Sequence, residues 1–290
     1  KGKYSFDNIV GRSKVMQQVF DRIMAASKID STVLITGESG TGKELVARAI
    51  HYHGTRAKLP FIPVNCGALP RELIESELFG HKKGSFTGAT SDAEGLFKAS
   101  IGGTIFLDEI AEMSKDTQVK LLRALQEKKI RPVGGTDEFA IDIRLIAATN
   151  QNPEIALKDG SLRDDLYYRL SVITIHLPPL RERQEDIPLL VQHFINKFNQ
   201  LFDRNVSGVD NDTMDAFTNY AWPGNVRELE NVIEGIFALT QSKSIRLADL
   251  PAQIKKDRKH ILRPVSDGAV MSMQEAERRA IESALKAAEN

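Results

Sequence analysis

Two rhythms of hydrophobic and polar positions divide this chain. In the first half, short β-branched runs alternate with amphipathic stretches, the pattern of a parallel sheet covered by helices. The runs are Thr32-Val33-Leu34-Ile35-Thr36, Phe61-Ile62-Pro63-Val64, Thr104-Ile105-Phe106-Leu107, Arg144-Leu145-Ile146-Ala147 and Val172-Ile173-Thr174-Ile175. Pro63 has no N–H for a ladder, so its run forms an edge strand if it forms one at all. The stretch opening at Glu44 sets Leu45, Val46, Ala49 and Ile50 on one helical face, as packing on a sheet requires.

Pro178-Pro179 stops this rhythm, because neither a strand nor a helix interior continues through two prolines. Beyond it the apolar spacing is helical over 187–198, 213–220 and 225–239, with Trp222-Pro223-Gly224 as punctuation. The expected organisation is an α/β core over 1–178 and a small all-helical domain over 179–254. A basic, irregular linker follows over 255–271, then a helix over 272–290 opened by the capping box of Ser272 and Glu275.

Composition adds limits. With 41% hydrophobic and 27% charged residues the chain has the balance of a soluble globular protein. Basic and acidic residues number 39 each, so any nucleic-acid binding must be local. The single Cys66 can form neither an internal disulfide nor a cysteine metal cluster, which fits a reducing cytoplasm. No apolar run approaches the roughly 20 residues that cross a bilayer, and the first residues hold no signal-peptide core, so no membrane partner is expected.

The chemistry concentrates in two motifs. Gly37-Glu38-Ser39-Gly40-Thr41-Gly42-Lys43 lies between a predicted strand and a predicted helix, the context a phosphate-binding loop requires. Its glycines let backbone N–H groups and the helix start face an anion, and Lys43 adds a point charge. Glu44 stands where the general motif has a Ser or Thr for magnesium, and a carboxylate there must point away or act through metal-bound water. Asp108 and Glu109 end the apolar strand 104–107. Asp108 suits Mg2+, and Glu109 suits polarising a water in line with the γ-phosphate of ATP.

With these motifs in place, the chain resembles the central AAA+ domain of the bacterial enhancer-binding proteins, the NtrC-type activators of sigma-54 RNA polymerase. Gly84-Ser85-Phe86-Thr87-Gly88-Ala89 is the most specific element. The family carries a GAFTGA loop there, so this copy has Ser85 for the usual Ala. The family also carries Glu at the position of Glu44. The resemblance implies an AAA+ P-loop ATPase core with a helical lid, and a loop at 84–89 that contacts sigma-54 and moves with nucleotide state. Physically, glycines flanking Phe86 and Thr87 predict a tip that presents one exposed aromatic anchor.

The resemblance assigns further roles. Asn65 matches the residue that restrains the catalytic glutamate, and Thr149-Asn150 looks like the first sensor element. Arg163 and Arg169 match arginine fingers supplied to a neighbour's ATP, and Arg227 resembles the lid sensor. For Arg169 a plain i,i+4 pair with Asp165 is the alternative. Val10-Gly11-Arg12 is expected near the adenine. Fingers in trans imply a ring, by resemblance a hexamer, with a dimer as an inactive form. The segment from Met273 resembles the opening of a Fis-like DNA-binding domain, through which such activators hold an enhancer. A helicase loader or unfoldase of the same class is compatible with everything except the 84–89 loop. A repressor that binds nucleotide without cleaving it is opposed by Asp108, Glu109, Arg163 and Arg169.

Overall fold

All five apolar runs enter one parallel sheet, the three central strands buried on both faces and the two edge strands only in part. The computed structural model describes residues 9–68, 70–86 and 88–255. In chain order its elements are α1 (Lys14–Ser27), β1 (Val33–Thr36), α2 (Lys43–Tyr52), β2 (Phe61–Asn65), α3 (Arg71–Phe79), β3 (Gly80–His81), β4 (Ala93–Glu94), α4 (Leu96–Ala99), β5 (Thr104–Asp108), α5 (Lys115–Glu127), β6 (Lys129–Ile130), β7 (Phe139–Ala140), β8 (Arg144–Thr149), α6 (Pro153–Lys158), α7 (Asp164–Leu170), β9 (Ile173–His176), α8 (Ile187–Phe202), α9 (Asn211–Asn219) and α10 (Asn225–Leu239).

The main sheet has the order β2-β5-β8-β1-β9. Successive side chains point to opposite faces. Leu34, Ile105, Leu107, Leu145 and Ala147 therefore pack with Ile74 and Leu78 of α3, Leu121 of α5 and Leu166 of α7. Val33, Ile35, Phe106, Ile146 and Ala148 pack on Met16 and Ile23 of α1 and on Val46 and Ile50 of α2. Pro63 does lie on an edge strand, opposite Phe106. Two expectations fail. Leu45 is 40% exposed, because α2 turns Val46, Ala47 and Ile50 to the sheet instead. Val172 is 59% exposed and falls just before β9.

After Pro178-Pro179 two short 3-10 turns lead into α8, α9 and α10, which close a separate apolar core. Phe194, Phe198, Phe217, Trp222 and Ile233 meet there, with Val10 from the chain start packed against them. Trp222 is fully buried, and its indole N–H donates to Phe217 O at 2.7 Å. Buried Asp186 stitches the two parts together. Its Oδ1 accepts from the amides of Arg12 and Ser13 at 2.6 and 2.8 Å, and its Oδ2 from the Ser13 hydroxyl at 2.7 Å. No described helix is long and apolar enough to cross a membrane. Of the irregular linker expected over 255–271, Lys255 instead ends a helical turn; the rest of it and the helix from 272 lie outside the described residues.

Candidate active site

The register brings the carboxyl ends of the strands level: Asn65 pairs with Asp108, and Thr36 with Thr149. Ligands of open parallel sheets bind at such ends. The chain leaves β1 through the glycine loop and enters α2 at Lys43. Gly42, with φ 102°, is the N-cap of α2, a left-handed turn that a side chain would strain. The unpaired first amides of α2 thus open on the loop, which favours a bound anion.

Lys43 is 7% exposed, and its Nζ donates to Gly37 O at 2.9 Å and Glu38 O at 3.1 Å. Burial pushes its pKa down, while the carboxylates of Asp108 and Glu109 oppose that shift and Arg227 adds to it. All three side chains therefore act on the lysine. Glu109 sits just past β5 with φ 55°, a conformation costing a non-glycine residue on the order of 1 kcal/mol or more. Its amide donates to Asp108 Oδ1 at 2.9 Å. Asn65 Oδ1 accepts from the amides of Gly67 and Ala68 at 2.8 and 3.0 Å. A Cβ on Gly67 would lie 2.2 Å from Glu109 Oε2, so the glutamate rests over the turn that Asn65 builds.

Glu44 takes the first of the two arrangements open to it. Its carboxylate pairs with Arg48 at 2.6 Å and is half exposed, turned away from the loop. Glu38 also turns outward. It holds a bidentate pair with Arg181 at 2.8 and 2.6 Å and accepts from Asn225 Nδ2 at 3.1 Å. Arg181 holds the Glu38 carboxyl below the usual glutamate range, against some opposition from burial. Thr149 O accepts from the Gly37 amide at 3.3 Å, and Asn150 is exposed one residue further on.

Against known proteins, residues 9–176 match the sigma-54 interaction domain, and residues 181–264 match an AAA+ ATPase lid domain. This chain belongs to the sigma-54 interaction domain family of AAA+ ATPases. The Nif-specific regulatory protein of Herbaspirillum seropedicae is 52% identical over 234 residues, covering 81% of this chain and 43% of the relative. The transcriptional regulator NtrC of Klebsiella pneumoniae is 47% identical over 247 residues, covering 85% and 53%. Among solved structures, NtrX from Brucella abortus in complex with ATP superposes with a TM-score of 0.79 at 37% identity, covering 85% of this chain and 55% of that one. The chain spans about half the length of the curated relatives it matches.

In this sigma-54 interaction domain the 84–89 loop is folded back on its base. Gly84 N donates to Ala89 O at 2.8 Å and Ser85 N to Lys82 O at 3.1 Å. Phe86 is half-buried against His81, with ring centroids 5.0 Å apart, rather than standing out as an exposed anchor. The segment between β6 and β7 supports the loop from beside it. Lys82 N donates to Val133 O at 3.0 Å, and a Cβ on Gly134 would meet Ser85 Cβ at 2.6 Å. The Ser85 hydroxyl is buried there without a hydrogen-bond partner among the described residues. Thr87 lies outside the described residues.

The two candidate finger arginines face elsewhere than this chain's own phosphate loop. Arg163 forms a bidentate pair with Asp165 at 3.0 and 2.7 Å, which raises its pKa. Arg169 donates to Leu125 O at 3.0 Å, beside a cavity at the other end of the strands that Asp30 and Thr32 also line. Asp165 thus pairs with Arg163 two residues away, not with Arg169 four residues on. Sequence reasoning missed Arg181, Arg183, Asp186 and Asn225. The charged run directly after Pro178-Pro179, and the asparagine after Trp222-Pro223-Gly224, were the available signals.

Proposed function

We propose that this domain cleaves ATP at the interfaces of a ring and uses the 84–89 loop to remodel RNA polymerase carrying sigma-54. The observation that carries this reading is the buried Lys43, flanked by Asp108 and Glu109 at the strand ends. A glycine cradle with one lysine fits the β- and γ-phosphates of ATP. Asp108 is the half-buried carboxylate for Mg2+, which keeps several waters and needs only one or two protein oxygens besides phosphate. When bound, the metal neutralises phosphate charge.

Glu109 accepts a proton from water as the water oxygen bonds to the γ-phosphorus and the bridge to the β-phosphate breaks, giving ADP and phosphate. Asn65 sets the floor on which that carboxylate moves. Arg227 reaches the same phosphates from the lid. Val10 flanks the adenine, and Asn150 reads the γ-phosphate. Arg163 and Arg169 act on the ATP of the next subunit, where a finger is worth on the order of 10³–10⁵ in rate. That role favours a ring, by family a hexamer, with a dimer as the resting form. In the whole protein, a DNA-binding domain after this one would hold the enhancer.

Bound ATP draws Phe86 off the loop base so that the tip engages sigma-54, and cleavage retracts it. Thr87→Ala tests this part directly. Phosphate release should stay within about twofold of the parent, while open-promoter formation on a sigma-54 template is lost. Normal promoter opening by this variant would remove the loop from the mechanism.

A further inference from the structure

A phosphate cradle turns N–H groups inward, which leaves the carbonyls of the same peptides turned outward. Here three consecutive outward carbonyls meet donors from the lid side. Ser39 O accepts from Asn225 Nδ2 at 3.0 Å, Gly40 O from the Arg227 amide at 3.3 Å, and Thr41 O from Arg183 Nη2 at 3.3 Å. The approach is close, since a Cβ on Gly40 would lie 2.2 Å from Gly224 O.

Asn225 is the hub of this contact. It is fully buried and held at φ 54°, a strained value for a residue with a side chain. Its Oδ1 accepts from the Leu180 amide at 2.8 Å, while its Nδ2 also donates to Glu38 Oε2 at 3.1 Å. One side chain therefore ties together the entry to the lid, the start of α10 and the phosphate loop. The second side-chain donor, Arg183, is 3% exposed, so neither contact is a solvated accident.

We infer that the lid fixes the phosphate loop from behind, with Asn225 as the positioning residue that couples lid placement to the amides receiving phosphate. The physical link is the planarity of the peptide bond. Holding Ser39 O sets the direction of the Gly40 N–H, and holding Thr41 O sets that of the Gly42 N–H. Asn225 itself touches no phosphate. The inference rests on the ATPase reading only for the identity of the anion.

Asn225→Asp is the test, because the carboxylate still accepts from the Leu180 amide but offers Ser39 O no donor and faces the Glu38 carboxylate. Binding of a fluorescent ATP analogue should weaken on the order of 10-fold, as expected for a buried polar group left unsatisfied. With inorganic triphosphate in the loop, hydrogen exchange should quicken at the Gly40 amide and stay unchanged in α8 and α10. Adding Glu38→Gln, which can donate to Asp at 225, should recover part of the affinity. The sole tryptophan, Trp222, sits in the lid core and reports through its emission whether the lid is folded. If Asn225→Asp does not fold, Arg183→Lys withdraws the donor from Thr41 O and should quicken exchange at Gly42 selectively. Analogue affinity within twofold of the parent, or faster exchange spread evenly over the lid, would overturn the inference. A parent chain that bound no adenine nucleotide would instead sink the ATPase reading and leave the exchange contrast standing.

Discussion

Ser85 carries an energetic penalty in the folded-back loop that a methyl side chain would not. Its hydroxyl is shut from solvent beside Gly134 without a partner among the described residues, whereas in a released loop water would satisfy it. A buried unsatisfied group of this kind costs about 1–3 kcal/mol. Ser85→Ala should therefore hold the loop down, slowing exchange of the Gly84, Ser85-position and Ala89 amides on the order of 10-fold, which tenfold per 1.4 kcal/mol supports. Equal or faster exchange in Ser85→Ala would show that the hydroxyl does not load the docked state. The identity of this residue was plain in the sequence, but its effect was not, because burial of Ser85 depends on a glycine 49 positions away. Lys43, Asp108 and Glu109 were legible for the opposite reason. Lys43 opens the helix after one strand and Asp108 and Glu109 close another, each within a short motif, so local pattern alone singled them out.

At the scale of elements, the lid meets the core through a few polar contacts that no periodicity predicts. The Glu38–Arg181 pair is bidentate, yet its side chains are 40% and 45% exposed, so screening leaves it at most about 1 kcal/mol. Arg181 lowers the Glu38 pKa, and the sign of the pH effect follows. Stability from the pair is present above the ordinary glutamate value of about 4.3 and is lost as pH falls through the lower value of the folded chain. Urea denaturation should show Glu38→Gln less stable than the parent by a constant margin from neutral pH down to about 5, closing only at more acid pH. A margin that widens on acidification would contradict the pairing. The sheet and the three lid helices were readable from apolar spacing, and Pro63 even marked its edge. Leu45 misled because it neighbours the buried face of α2 without belonging to it. The two-stranded pairs β3–β4 and β6–β7 were unreadable, since strands of two residues carry no period.

For the whole molecule, the placement of Arg163 and Arg169 away from their own phosphate loop bears on assembly. In the finger role proposed for them, they would serve a neighbour's site. Mixing Arg163→Ala with Lys43→Ala subunits should restore part of the phosphate release that each lacks alone, because some interfaces then pair an intact loop with an intact finger. No recovery across mixing ratios would place the whole site within one chain. The most direct measurement is the mass of the Glu109→Gln domain with ATP, magnesium and sigma-54. A loaded, non-cleaving ring that retains both ATP and the sigma factor is the predicted result. A species that holds ATP but leaves sigma-54 free, or that releases phosphate at the parental rate, would contradict the account.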